Sequence, residues 1–292
     1  EERLVAVEVL EDVEDGDNVA AFFRGGGGVS RRDFRFEPFL ILESPSLLDG
    51  GSKPSRVETL SGPGRYRALA FYPSWKSLQH ARTWLSKRSG SRGREAGGPF
   101  LQVNDPGQQA LMLTGRTLFK GMAFEDVRRM QVDIETHTAP GFEFCNPERE
   151  SDRIIIIALS DSEGWTEIME ERSGDEARLL RRFAEAVRAR DPDVIEGHNI
   201  FKFDLPYLAA RARRHRVKLA LGRDGSAMTS RASRFTAGDR TIPYPRFEVF
   251  GRHIVDTFFL VQLYDVATRS LDSYGLKQAA AHFKLSAPGR TH

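Results

Sequence analysis

Apolar and polar positions follow one pattern in the first 130 residues and another after them. Leu4–Leu10, Val19–Phe23 and Phe34–Leu42 are short apolar or alternating runs and read as strands. Turn material separates them, at Glu14–Asn18 and in the glycine tract Gly25–Gly28. One helix is predicted after Pro73-Ser74, where Trp75, Leu78, Ala81, Arg82 and Leu85 recur at helical spacing and Ser74 can serve as N-cap. Ser89 to Gly98 is rich in Gly, Arg and Ser and is predicted to be an exposed, mobile loop.

From Met130 strands and helices alternate. Met130–Glu135, Ile154–Leu159 and Trp165–Ile168 read as consecutive strands, the middle one apolar enough to be buried on both faces. Asp175–Arg190 is an amphipathic helix, Val194–Gly197 a short strand and Asp204–Val217 a second helix. A loop rich in Arg, Ser and Gly follows. Phe247–Phe250 and Ile254–Val255 are predicted strands, leading into helices Asp256–Tyr264 and Asp272–Phe283. The pattern describes an α/β layer fold with a mixed central sheet, preceded by a strand-rich domain.

The length of 292 residues suits two domains, and the change of pattern divides them into residues 1–129 and 130–292. The longest apolar run, Ile154–Leu159, falls far short of the roughly 20 residues that cross a bilayer, so no membrane is expected. No secretion leader is visible, and the lone Cys145 excludes an internal disulfide framework and a cysteine-based zinc site; both fit a reducing, cytoplasmic setting.

The net charge of +2 is a sum of opposing blocks: −6 over residues 1–60, +8 over 61–130, −8 over 131–203 and +8 over 204–292. Such blocks suit a protein that holds cations beside a polyanion, or they are simply solvated faces.

Three carboxylates stand out. Asp133 and Glu135 alternate with Val132 and Ile134, and the period of two puts both on one strand face, about 7 Å apart between Cα atoms. Like charges on a central strand repel unless a cation neutralises them, and hard divalent ions favour oxygen ligands. An edge strand with a wet face is the plainer reading. The third, Asp204, closes the segment Asn199-Ile200-Phe201-Lys202-Phe203-Asp204 and opens a helix, where it reads as an N-cap satisfying orphan amides.

Together, Asp133-Ile134-Glu135-Thr136 and Asn199-Ile200-Phe201-Lys202-Phe203-Asp204 resemble the first two motifs of the DEDD 3′→5′ exonuclease domain, closest to the proofreading domain of family B DNA polymerases. Thr114–Met122 and Phe247–Phe283 resemble that family as well, so the likeness spans most of residues 110–285. The resemblance implies an RNase H-like exonuclease domain with a mixed central sheet, preceded by a strand-rich α+β N-terminal domain. It implies Asp133, Glu135 and Asp204 as catalytic metal ligands for Mg²⁺ or Mn²⁺. Thr136, Asn199 and Phe203 would meet the last nucleotides, although Phe203 reads equally as core. Two cations would assist hydrolysis of the 3′-terminal phosphodiester of single-stranded DNA at a primer–template end. The implied partner is the polymerase domain of a longer chain, and the implied place is the cytoplasm, at a prokaryotic nucleoid.

The family pattern requires a fourth carboxylate, as Tyr-x₃-Asp or His-x₄-Asp, and neither occurs. Tyr244 lies between prolines, and Tyr274 has Gln278 at the acidic place and reads as packing within a helix. A truncated polymerase is therefore expected, with weak or no activity; the other reading is a degenerate, non-catalytic nucleic-acid-binding module. The polymerase palm signatures are also absent.

Other residues carry double readings. Asp256 reads as an N-cap or as a group behind the metal ligands. His198 reads as a substrate contact or a plain turn residue. Phe142 and Phe144 either wedge against a base or anchor their loop in the core. Arg211, Arg213, Arg214, Arg216 and Lys218 suit a helix C-terminus, or with Arg223, Arg231, Arg234 and Arg240 they track a DNA backbone.

Overall fold

A computed structural model describes residues 3–10, 18–51, 53–95, 97–171 and 174–285. The Glu14–Asn18 turn falls mostly outside them. The chain divides into two compact units, Glu1–Gly121 and Met122–His292.

The first unit runs β1 (Arg3–Val9), β2 (Val19–Gly25), β3 (Gly28–Phe34), β4 (Phe39–Leu42), β5 (Arg56–Thr59), β6 (Ala68–Phe71), α1 (Trp75–Ser89), β7 (Phe100–Leu101) and α2 (Pro106–Thr114). β1–β2–β3 form an antiparallel sheet and β5–β6–β4–β7 a second one. Ser74 caps α1 by accepting from Ser77 N, and Gly90 ends it in the left-handed region. The run Phe34–Leu42 is two strands rather than one. Asn18 takes the place of a strand partner at Phe36, accepting from its N–H at 2.7 Å and donating to its carbonyl at 2.9 Å, and Pro38 closes the break. Within Ser89–Gly98 no helix continues past α1, and Gly93 is buried against Phe100.

The second unit runs β8 (Arg129–Thr136), β9 (Ile154–Asp161), β10 (Thr166–Glu170), α3 (Glu176–Arg190), β11 (Val194–Gly197), α4 (Asp204–Arg214), β12 (Thr229–Ala237), β13 (Arg240–Glu248), β14 (His253–Asp256), α5 (Thr257–Thr268) and α6 (Leu276–His282). Its central sheet has the order β10–β9–β8–β11–β14, antiparallel through β10, β9 and β8 and parallel through β8, β11 and β14. The sheet is mixed, as the pattern predicts. One core gathers Val132, Ile134, Ile157 and Leu159 from the sheet with Leu179, Leu180, Phe183 and Val187 of α3 and Leu205 and Leu208 of α4. Only this face of β9 is fully covered: Ile155, Ile156 and Ala158 stay half-buried, against the expectation of two buried faces.

The stretch read as a loop before Phe247 holds a nine-pair antiparallel ribbon, β12–β13. Phe235 stacks on Phe259 of α5 with ring centroids 4.2 Å apart, and Tyr244 meets the same ring edge-on. Pro243 and Pro245 sit inside β13 with the register unbroken.

Candidate active site

β8 is divided by its pleat. Val132 and Ile134 are buried beneath the helices, while Asp133 and Glu135 are exposed on the opposite face. β11 pairs with β8 only from Arg129 to Gln131, then stops at Gly197. A Cβ on Gly197 would lie 2.9 Å from Val132 O and 3.0 Å from Ile200 Cβ, so glycine is what lets the chain turn away this close to β8. The turn leaves the edge of β8 without a strand partner beyond Gln131. Asp204 fills that place, its Oδ1 accepting from Ile134 N at 3.2 Å.

Asp204 is therefore no N-cap. It is the first residue of α4; Phe203 holds the cap position and makes no side-chain cap bond. Its carboxyl is 2% exposed and is pushed up to about 7, first by burial, then by the nearby charges of Asp133 and Asp256. Asp133 is raised too, by partial desolvation. The structure thus brings Asp133 and Asp204 within electrostatic reach, at an energetic cost that a cation would relieve. As donors, these oxygens fit a hard divalent ion in kind. They do not yet fit in number: among the described residues no group of three or more His, Cys, Asp or Glu side chains stands ready to hold a metal.

The turn before α4 is built from both sides. Asn199 adopts a left-handed φ of 65°, a region Asn tolerates. Asp256 caps α5 by accepting from Phe258 N at 2.9 Å, and also accepts from Asn199 N at 2.8 Å and Phe201 N at 3.2 Å. The N-cap reading of Asp256 holds, and the same carboxylate has a second role in tying down the turn before α4. Burial raises it despite those three donors. The sequence signal for the second role is only an acidic residue at a strand end, which cannot show which turn lies opposite. His198 lies with Nδ1 3.0 Å from Thr257 Oγ1 and Nε2 2.8 Å from Tyr274 O. Tyr274 precedes α6 rather than packing within it.

Of the remaining candidates, Thr136 is half-buried at the end of β8 and pairs with Ile154. Asn199 is half-buried, and Phe203 leans on the core with its ring 5.7 Å from Tyr207. Phe142 and Phe144 are exposed, so they do not anchor their loop; Arg149 stacks over Phe142 at 3.7 Å.

Two of the arginines read as DNA contacts are internal ties. Arg211 is 1% exposed, paired with Glu176 at 2.5 Å, and it donates to the carbonyls of Pro147, Arg149 and Glu150. Arg223 is buried between Asp191 and Asp193. Arg213 and Arg214 pair with Glu148 and Glu150 at the surface. In sequence these side chains look alike; only burial separates them.

Residues 163–279 match the family model for the exonuclease domain of family B DNA polymerases. The match spans His198, Asn199, Phe203 and Asp204, while Asp133 and Glu135 precede it. The matched segment belongs with the exonuclease domains of family B DNA polymerases. It is 33% identical over 151 residues to a DNA polymerase of Archaeoglobus fulgidus, an alignment taking in 52% of this chain and 16% of that one. It is 36% identical over 236 residues to a DNA polymerase of Pyrococcus horikoshii, covering 73% and 18% of the two chains. The chain thus spans about a sixth of the length of these polymerases. The solved family B DNA polymerase from Pyrobaculum calidifontis shares the fold, with a TM-score of 0.66 at 20% identity over 98% of this chain and 40% of that one. The α/β fold of the second unit, with its mixed sheet, and the strand-rich unit before it are those of this family.

Proposed function

We propose that residues 130–292 form a 3′→5′ proofreading exonuclease acting on the 3′ end of single-stranded DNA. Residues 1–129 then form the N-terminal domain of a family B polymerase. Asp133, Glu135 and Asp204 hold Mg²⁺ or Mn²⁺. Bound there, a cation pair would supply activation of the attacking water and charge stabilisation at the departing 3′ oxygen. Thr136, Asn199 and Phe203 orient the terminal nucleotides, and exposed Phe142 and Phe144 offer faces on which unpaired bases stack. The working partner is the polymerase domain, with primer–template DNA as substrate, in the cytoplasm at the nucleoid. No described helix is long and apolar enough to cross a membrane.

One observation supports this reading above the others: a buried carboxyl, Asp204, accepts from Ile134 N within reach of the Asp133 charge instead of capping its helix. A Mn²⁺ titration by calorimetry tests it. Asp204→Asn and Asp133→Asn are each expected to weaken binding at least about tenfold, since each removes a charged oxygen donor. Unchanged Mn²⁺ affinity in both variants would overturn the assignment.

Hydrolysis by these residues is weak, because the sequence supplies three carboxylates and no Tyr-x₃-Asp or His-x₄-Asp pattern. Little or no digestion of a 5′-labelled oligonucleotide in Mg²⁺ is the expected result. Robust digestion abolished by Asp133→Ala would refute it. That no group of three such ligands stands together among the described residues favours a second reading, a nucleic-acid-binding module that keeps the fold without the chemistry. Binding of single strands that is indifferent to Mn²⁺ would select it.

A further inference from the structure

The turn 198–203 delivers Asp204 to the site, and no strand or long helix holds it. Asp256 grips it from one side through Asn199 N and Phe201 N. On the other side His198 faces the segment that joins α5 to α6. That segment is itself fixed: buried Asp265 accepts from Ser270 N at 2.7 Å, from Leu271 N at 3.0 Å and from the Tyr274 hydroxyl at 3.0 Å. Arg240, at the start of β13, donates to the same hydroxyl at 3.4 Å. What the segment offers His198 is the Tyr274 carbonyl, 2.8 Å from Nε2. A carbonyl only accepts, so Nε2 carries the proton of this bond.

We propose that His198 is a positioning residue: through Nε2 it ties the turn carrying Asn199 to the Tyr274 carbonyl and so sets where Asp204 enters the carboxylate site. The proposal rests on the exonuclease reading above for what is positioned, but the tie itself is a matter of hydrogen-bond geometry. Asp256 fixes the turn to the β14–α5 junction alone. His198 adds the second, more distant anchor, and two anchors on different segments remove the rotation that one leaves free. The ring also meets Phe258 edge-on, with centroids 5.5 Å apart, a packing role that any flat ring would serve.

The test separates the two roles with side chains that each mimic one nitrogen. In the full chain, His198→Gln places an amide donor near the Nε2 position, while His198→Asn reaches only the Nδ1 position. Two readouts are taken: hydrogen exchange of the 198–204 amides by mass spectrometry, and affinity for a 5′-fluorescein oligothymidylate in Mn²⁺. The Asn variant is expected to exchange faster across 198–204 and to bind about tenfold more weakly. The Gln variant is expected to restore slow exchange and to bind within about threefold of wild type. Equal behaviour of the two variants, whether both damaged or both intact, would overturn the proposal. Asp133→Ala runs alongside: if it binds the oligonucleotide as wild type does, the exonuclease reading fails, while the contrast in exchange between Gln and Asn still judges the tie.

Discussion

At about 7, Asp204 carries its proton roughly half the time near neutral pH. A carboxyl raised in the folded state favours folding most below its unfolded value, and that advantage is lost as pH rises towards 7. Asp204→Asn keeps an oxygen to accept from Ile134 N and removes the charge. The variant is therefore expected to be more stable than wild type at pH 8 by about 1–3 kcal/mol, measured by urea unfolding, even as it loses Mn²⁺. For the same reason wild-type Mn²⁺ affinity should climb between pH 6 and 8, as the ligand sheds its proton. None of this is visible in the letters Phe203-Asp204-Leu205-Pro206, which read as an ordinary helix start. Burial and the approach of Asp133 are properties of the packed sheet, and they reverse the local reading.

Where capping residues and a clear hydrophobic period coincide, elements can be read from the chain with ends accurate to a residue or two. α1 with Ser74, and α3 with Asp175 accepting from Arg178 N, are examples. β3, Gly28–Phe34, was hidden because its exposed Ser30, Arg31, Arg32 and Asp33 carry no alternation. The β12–β13 ribbon was hidden because only Phe235 and Tyr244 reach the core, against a background of Arg, Ser, Thr and Pro. Arg211 looked like a cation favoured by the α4 dipole, whereas its partners lie on α3 and in the loop before β9. Loss of that cation strands Glu176, which Arg211, Ile154 N and His215 hold below its ordinary value against the opposing effect of burial. Arg211→Met is expected to cost about 3–5 kcal/mol by urea unfolding, because an unpaired buried carboxylate remains. Gly197→Ala is a milder test of the same region: the methyl presses on Val132 O and Ile200, and a loss of about 1–3 kcal/mol is expected.

Across the second unit the carboxylates fall into two sets with opposite pH behaviour. Asp161, Glu176 and Asp191 are desolvated, yet arginine partners and backbone donors hold them below their ordinary values. Their contribution is present above the unfolded values and disappears as pH falls through the folded ones. Asp133, Asp204 and Asp256 are raised, and their contribution disappears as pH rises. Thermal unfolding is therefore expected to show greatest stability near pH 5 and a decline towards pH 8. Mn²⁺ should flatten the alkaline side by neutralising the raised set, and a profile unchanged by Mn²⁺ would count against the site. The charge blocks are thus partly an internal matter, since much of the acidic stretch meets its arginines within the fold.

The two prolines of β13 have a consequence for how this molecule meets its neighbours. They stand two residues apart, and with the ladder to β12 unbroken their missing donors fall on the outer rim of the ribbon. A passing extended chain finds gaps there where it would need amide hydrogens. The ribbon can thus stand away from the central sheet, displaying Arg234 and Arg240, without seeding the strand-upon-strand growth that an open β-edge invites.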